Sequence, residues 1–302
     1  MTTGRSNTLI HLIATLLTHL LLTLSTPARA QSIGTPFPSN FRNTQTNKIE
    51  GEIHMSKFFL KIKQGKTVKV MQIGDSHVRG NIYPNTTGKT LKNFFPHLEY
   101  THYGINGAWA KRFYEQDMIA RVAAQKPDLV IISFGTNEAH GSAINESVHS
   151  QSMLTLTDRI REKCPGVEFL FTTPPGSFIS RRTTVRSRGR RRTYTTSRTP
   201  NANTGRVARS IVKFCQSHKM AVWDIYTIGG GDKSACTNWL NSGLMNTDAI
   251  HFLASGYALQ GKMLGEAIHK AYTETAVSGS QTRMMHEPTP REQQPYKSVQ
   301  GF

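Results

Sequence analysis

Acidic residues are scarce in this chain: 19 Asp plus Glu stand against 37 Lys plus Arg over 302 residues, a formal net charge of +18. So one-sided a balance excludes an acidic solvating protein and predicts attraction to polyanions. Cysteine is scarcer still. Cys164, Cys215 and Cys236 permit at most one disulfide, which excludes a disulfide scaffold, and no pair has the spacing of zinc ligands. The histidines are scattered without metal-ligand spacing. Long apolar runs are missing beyond residue 24, so no further segment apolar enough to cross a bilayer as a helix is expected. Basic charge without an aromatic platform or a nucleic-acid-binding motif gives no reason to expect nucleic acid as a partner. What is present is a 37% hydrophobic content, enough to bury the core of one large domain and too much for a disordered chain.

The ends differ from the middle. Arg5, the apolar run Leu9 to Leu24 and the small residues of Ala28-Arg29-Ala30 have the order of a secretory signal peptide, so residues 1–30 are expected to be removed on export to the periplasm or beyond. Gln31 stands where a lipid-anchored chain would carry Cys. Residues 31–54, rich in Asn, Thr, Ser and Pro, are predicted to be a linker, and 277–302 a flexible tail. The domain proper is expected over 55–276.

Within it, short apolar runs alternate with helical spacing. Thr67–Ile73, Leu98–Tyr103, Asp128–Phe134, Glu168–Thr173 and Met220–Tyr226 read as strands. Gly88–Phe95, Trp109–Ala124, Ser147–Cys164, Thr204–His218 and Gly256–Tyr272 read as helices. The run DLVIISF, apolar at nearly every position, fits a central parallel strand covered on both faces. The pattern predicts a three-layer α/β sandwich on a central five-stranded parallel sheet. In such sheets ligands bind at the carboxyl ends of the strands.

Four short motifs fall at or near those ends: Gly74-Asp75-Ser76-His77, Tyr103-Gly104-Ile105-Asn106-Gly107-Ala108, Gly135-Thr136-Asn137-Glu138 and Asp248-Ala249-Ile250-His251. Asp-Ser after a strand can be an ordinary helix cap or an exposed nucleophile at a sharp turn. In this order the four motifs resemble the SGNH (GDSL) hydrolase family over about residues 66–273. Within that family they look most like exported bacterial esterases that deacetylate peptidoglycan or other polysaccharides.

The resemblance implies Ser76 as nucleophile, His251 as base and Asp248 as its orienting carboxylate. It implies an oxyanion hole from Ser76, Gly107 and Asn137, and no metal or organic cofactor. Gly104 competes with Gly107 for the second position, and the Ile-x-Gly spacing favours Gly107. His77 departs from the Leu of many relatives. The chemistry needs these types: a hydroxyl attacks well only once a base takes its proton, and that base works best when a carboxylate holds its tautomer. The same triad serves a lipase or lysophospholipase and an O-acetyltransferase. A wall-binding module with a vestigial triad is the non-enzymatic alternative.

Between the fourth strand and the next helix lies an insertion, 177–200, with eight arginines between Arg181 and Arg198 and no acid; without them the net charge falls from +18 to +10. Arg188, Arg190, Arg191 and Arg192 are candidates for guiding an anionic glycan to the site; a solvated loop is the plainer reading. Gly88-Lys89-Thr90 ends like a phosphate-binding loop, but the motif requires Gly at the position of Tyr83. Gly229-Gly230-Gly231 reads as a flexible loop. Trp109 and Trp239 suit either sugar stacking or helix packing.

Overall fold

The computed structural model describes residues 34–141, 144–185 and 193–286. From Thr35 onward they form one compact unit. Five strands, β1 (Val68–Gly74), β2 (Leu98–Gly104), β3 (Leu129–Ser133), β4 (Glu168–Thr172) and β7 (Ala221–Trp223), pair in parallel in the order β2-β1-β3-β4-β7. The predicted sandwich is the observed one.

Its layers follow from the two-residue period of a strand. Val70, Leu129, Ile131 and Leu170 point to one face, where α1 (Ser56–Lys63), α3 (Ile82–Phe94) and α11 (Ala254–His286) close over them with Phe58, Leu91, Met263 and Leu264. Met71, Ile73, Val130, Ile132, Phe169 and Phe171 point to the other. There α4 (Ala110–Glu115), α5 (Met118–Gln125), α7 (Glu146–Lys163) and α8 (Ala202–Ser217) supply Phe113, Val122, Leu156 and Ile211. All five residues of β3 are buried, and each apolar side chain so covered contributes about 1.5–3 kcal/mol.

Several expectations need correction. The stretch 31–54 is no loose linker where it is described. Phe37 and Phe41 pack against Trp239, Glu50 pairs antiparallel with Val222, and both Thr35 N–H and its hydroxyl donate to Glu266 at 2.7 Å. The single helix expected over Trp109–Ala124 is two, α4 and α5, broken where Asp117 turns left-handed at φ 56°. The last strand is three residues long. Asp224 then accepts from Thr227 N–H and starts the short α9 (Ile225–Ile228).

Gly231 opens a helix, α10 (Gly231–Asn241), that carries Trp239 into the core at 0% exposure, so this tryptophan packs and does not face a ligand. The insertion is an antiparallel hairpin of β5 (Phe178–Val185) and β6 (Thr193–Pro200). All three cysteines are buried as free thiols. The tail expected from 277 is helical through His286 in α11; residues 1–33, which include the expected signal peptide, lie outside the described set, as do Arg188, Arg190, Arg191 and Arg192.

Candidate active site

The chain turns sharply as it leaves β1, into the short helix α2 (Ser76–Arg79). Asp75 Oδ1 accepts from His77 N–H at 2.9 Å and so caps that helix. The capping and nucleophile readings of Asp-Ser are therefore compatible: the cap holds the turn that presents Ser76. Gly104, at the end of β2, packs directly against this turn. A Cβ on it would come within 2.3 Å of Arg79 N and 2.6 Å of Asp75 O, so any side chain there displaces the turn. Gly107 has a different part, lying at φ +67° in the following turn, a conformation glycine adopts without strain.

At the other side of the cleft the segment before α11 folds on its own carboxylate. Asp248 Oδ1 accepts from the N–H groups of Ile250 and His251, both at 2.9 Å, and Oδ2 lies 2.7 Å from His251 Nδ1. Ala249 takes φ 56°, uncommon for a residue with a Cβ. It is pinned there by Phe178 N–H donating to its carbonyl at 3.0 Å and by its own N–H donating to Asn246 O at 2.9 Å. The turn aims His251 at the serine, with Nε2 2.9 Å from Ser76 Oγ. The imidazole is 39% exposed, so the pair can be reached from solvent. Burial alone would push the Asp248 carboxyl up, but the hydrogen bonds from His251 and the two backbone N–H groups outweigh it and hold the group below the usual carboxylate value.

Asn137 follows β3 in α6 (Thr136–His140). Its Nδ2 donates to Ala108 O at 2.9 Å and, at a longer 3.3 Å, to Asp75 Oδ2. It thus ties the Gly107-Ala108 turn to the serine turn. The structure therefore brings Ser76, His251 and Asp248 into one hydrogen-bonded chain and joins the Gly107 and Asn137 segments to it. The base of the Arg-rich hairpin touches the same place: Phe178 binds Ala249, and Arg198 donates to Thr247 O.

His77 is buried, with Nδ1 2.9 Å from the Tyr257 hydroxyl and its ring centre 5.2 Å from that of His251. Burial drives its pKa down to about 3, and the neighbouring His251 adds to this, so the ring is neutral.

Sequence reasoning missed an acid whose carboxyl oxygens are buried. Glu138, next to Asn137, has both carboxyl oxygens buried without a hydrogen-bond partner, and His149 Nε2 is 3.9 Å away. Burial raises the Glu138 pKa to about 8 and lowers that of His149 to about 4, so both are uncharged near neutrality. An acid in the first turn of a helix reads from sequence as a favourable charge at the helix N-terminus, and nothing local signals its burial. In the unfolded chain a glutamate releases its proton near 4.5, whereas native Glu138 keeps it to about 8. Between those values the native state binds more protons than the unfolded one, so stability falls as pH rises and levels off above the native pKa. Glu138→Gln should remove part of that fall. Melting temperatures compared at about pH 5 and pH 9 should drop less in the variant, by several degrees; an equal drop would place the cause elsewhere.

Residues 73–259 match the GDSL-like lipase/acylhydrolase family, and the chain belongs to that family of hydrolases. No curated protein matches it. Among solved structures it is similar to a peptidoglycan O-acetylesterase, at 17% identity over 73% of this chain and 96% of that one, with a TM-score of 0.60. It is also similar to an acetyl xylan esterase, at 17% identity over 66% and 99%, with a TM-score of 0.50. At such identities the likeness speaks for the fold. Among the described residues no helix is long and apolar enough to cross a membrane.

Proposed function

We propose that the chain is an exported serine esterase that removes O-acetyl groups from peptidoglycan or another cell-envelope polysaccharide. The observation that carries the reading is the Ser76–His251–Asp248 chain, two contacts of 2.9 and 2.7 Å in the order that acyl transfer requires. With Asp248 accepting from Nδ1–H, His251 presents the lone pair of Nε2 to the serine hydroxyl. Ser76 Oγ attacks the acetyl carbonyl carbon as its proton passes to Nε2. The resulting oxyanion is held by the N–H groups of Ser76 and Gly107 and by Asn137, whose longer contact to Asp75 is the one an oxyanion displaces at least cost. Each such donor is worth about 10²–10³ in rate. His251 then gives its proton to the departing sugar oxygen, leaving acetyl-Ser76. A water molecule, deprotonated by the same nitrogen, releases acetate and restores the hydroxyl.

The experiment is acetate release from O-acetylated peptidoglycan, acetylated xylan and 4-nitrophenyl acetate, wild type against Ser76→Ala. Ser76-dependent release from peptidoglycan supports the whole reading. Release from the small ester alone keeps the esterase and removes the wall polymer as substrate. Polymer binding without Ser76-dependent turnover on any of the three favours the binding module.

The Arg-rich hairpin belongs to the same reading as a guide for carboxylate-bearing polymer, since its base is bonded to the Asp248–His251 turn and it carries much of the excess charge. Replacing Arg188, Arg190, Arg191 and Arg192 by Gln should raise KM on peptidoglycan several-fold more than on 4-nitrophenyl acetate. Equal changes on both would count against guiding.

A further inference from the structure

Of the three tryptophans, Trp223 and Trp239 are fully buried, whereas Trp109 is 41% exposed. It follows the Gly107-Ala108 turn directly, at the start of α4. Its side chain lines a cavity of about 370 Å³ that shares Asn137 with the candidate oxyanion hole. Val148, 60% exposed, and the half-buried Ile144 line the same cavity. Large apolar side chains held together in water at the edge of a cleft mark a surface that something covers.

The rest of the lining selects among occupants. Lys111, Asn145 and Ser152 stand among the apolar groups. Asn145 spends only its Oδ1 on the Val148 N–H, and Ser152 Oγ donates to Val148 O and keeps its acceptor capacity. The exposed Lys111 ammonium lies 3.6 Å from Glu115 with further donors to give. A fatty acyl chain laid here would strip water from those polar groups and return no hydrogen bonds. A pyranose ring meets both demands, with C–H groups on one flat face and hydroxyls or an acetamido group around its rim. The volume also admits a ring, and it exceeds what an acetyl group fills.

We propose that this cavity is a sugar subsite, holding a pyranose ring of the glycan next to the acetylated residue, its C–H face on the Trp109 indole and its polar rim toward Asn145, Ser152 and Lys111. The proposal deepens the esterase reading and rests on it for what the ring is attached to. Binding itself can be measured without turnover.

Because Trp109 is the only exposed tryptophan, indole emission from the full chain reports on this cavity. An N-acetylglucosamine tetramer, xylotetraose and hexanoate serve as probes, at millimolar concentration. One or both sugars should quench and blue-shift the emission of wild type, and hexanoate should not; in Trp109→Phe the remaining emission should stay unmoved. In kinetics, Trp109→Ala should raise KM on an acetylated glycan about five- to tenfold more than on 4-nitrophenyl acetate. Emission indifferent to both sugars, a response to hexanoate alone, or one that survives Trp109→Phe would overturn the subsite. So would equal KM changes on the two substrates. Sugar-induced quenching in a chain without Ser76-dependent turnover would instead leave the subsite standing and remove the esterase.

Discussion

Ser76→Ala is expected to lower kcat on 4-nitrophenyl acetate and on acetylated glycan by about 10⁵- to 10⁶-fold, leaving only the catalysis that binding and the oxyanion donors supply. The size follows from the geometry. His251 Nε2 bonds to Ser76 Oγ, so removing that oxygen leaves the base facing the cleft without the atom that forms the acyl bond. The cost to the fold should be small: one partly exposed hydrogen bond is lost, a matter of about 0.5–1.5 kcal/mol. The Asp75 cap that holds the turn is untouched. Burst kinetics on the aryl ester, with one equivalent of nitrophenol released before steady state, would show the acetyl-enzyme directly. A variant keeping more than about a tenth of wild-type turnover would remove Ser76 from the nucleophile's place.

Much of this arrangement was legible in the chain itself because its causes are local. β3 is a run of apolar residues closed by Ser133, as a strand covered on both faces should be, β1 is apolar apart from the exposed Lys69 and the buried Gln72, and the motifs sit where such strands end. The Asp248–His251 pair was legible for a similar reason: only Ala249 and Ile250 lie between them, and the carboxylate folds that turn about itself. What stayed hidden depends on contacts distant in sequence. Phe37, Phe41 and Ile49 are isolated apolar residues without a period, so their stretch resembles a linker until Trp239 and the sheet edge supply partners. The strands of the Arg-rich hairpin hold Thr and Arg where an amphipathic strand would alternate, and their register is carried by the backbone ladder. Nor can spacing separate Trp109 from Trp239. One ends exposed at a helix start and the other wholly buried, and only the packing of α10 under Phe37 and Phe41 decides it.

The same carboxylate geometry makes Asp248→Asn the second large effect, with kcat expected to fall about 10⁴-fold while the fold survives. Oδ1 of Asp248 receives two backbone N–H groups and Oδ2 receives His251 Nδ1–H, so every contact to the carboxylate is a donor. An amide has a single acceptor. If Asn turns its oxygen to His251, its NH₂ confronts the N–H groups of both Ile250 and His251. If it turns its oxygen to the backbone, the turn is kept and the NH₂ points at Nδ1. The second orientation satisfies two donors instead of one and should prevail. Nδ1 must then be the acceptor, the imidazole proton moves to Nε2, and Ser76 Oγ meets a donor where it needs a base. The variant should therefore bind substrate with nearly unchanged KM, melt within a few degrees of wild type and lose its rate in kcat alone. Asp248→Ala, which abandons the backbone donors as well, should lose comparable rate and more stability. If Asp248→Asn instead kept wild-type kcat, Asp248 would be the cap of a turn and no more, and His251 would need another residue to set its tautomer.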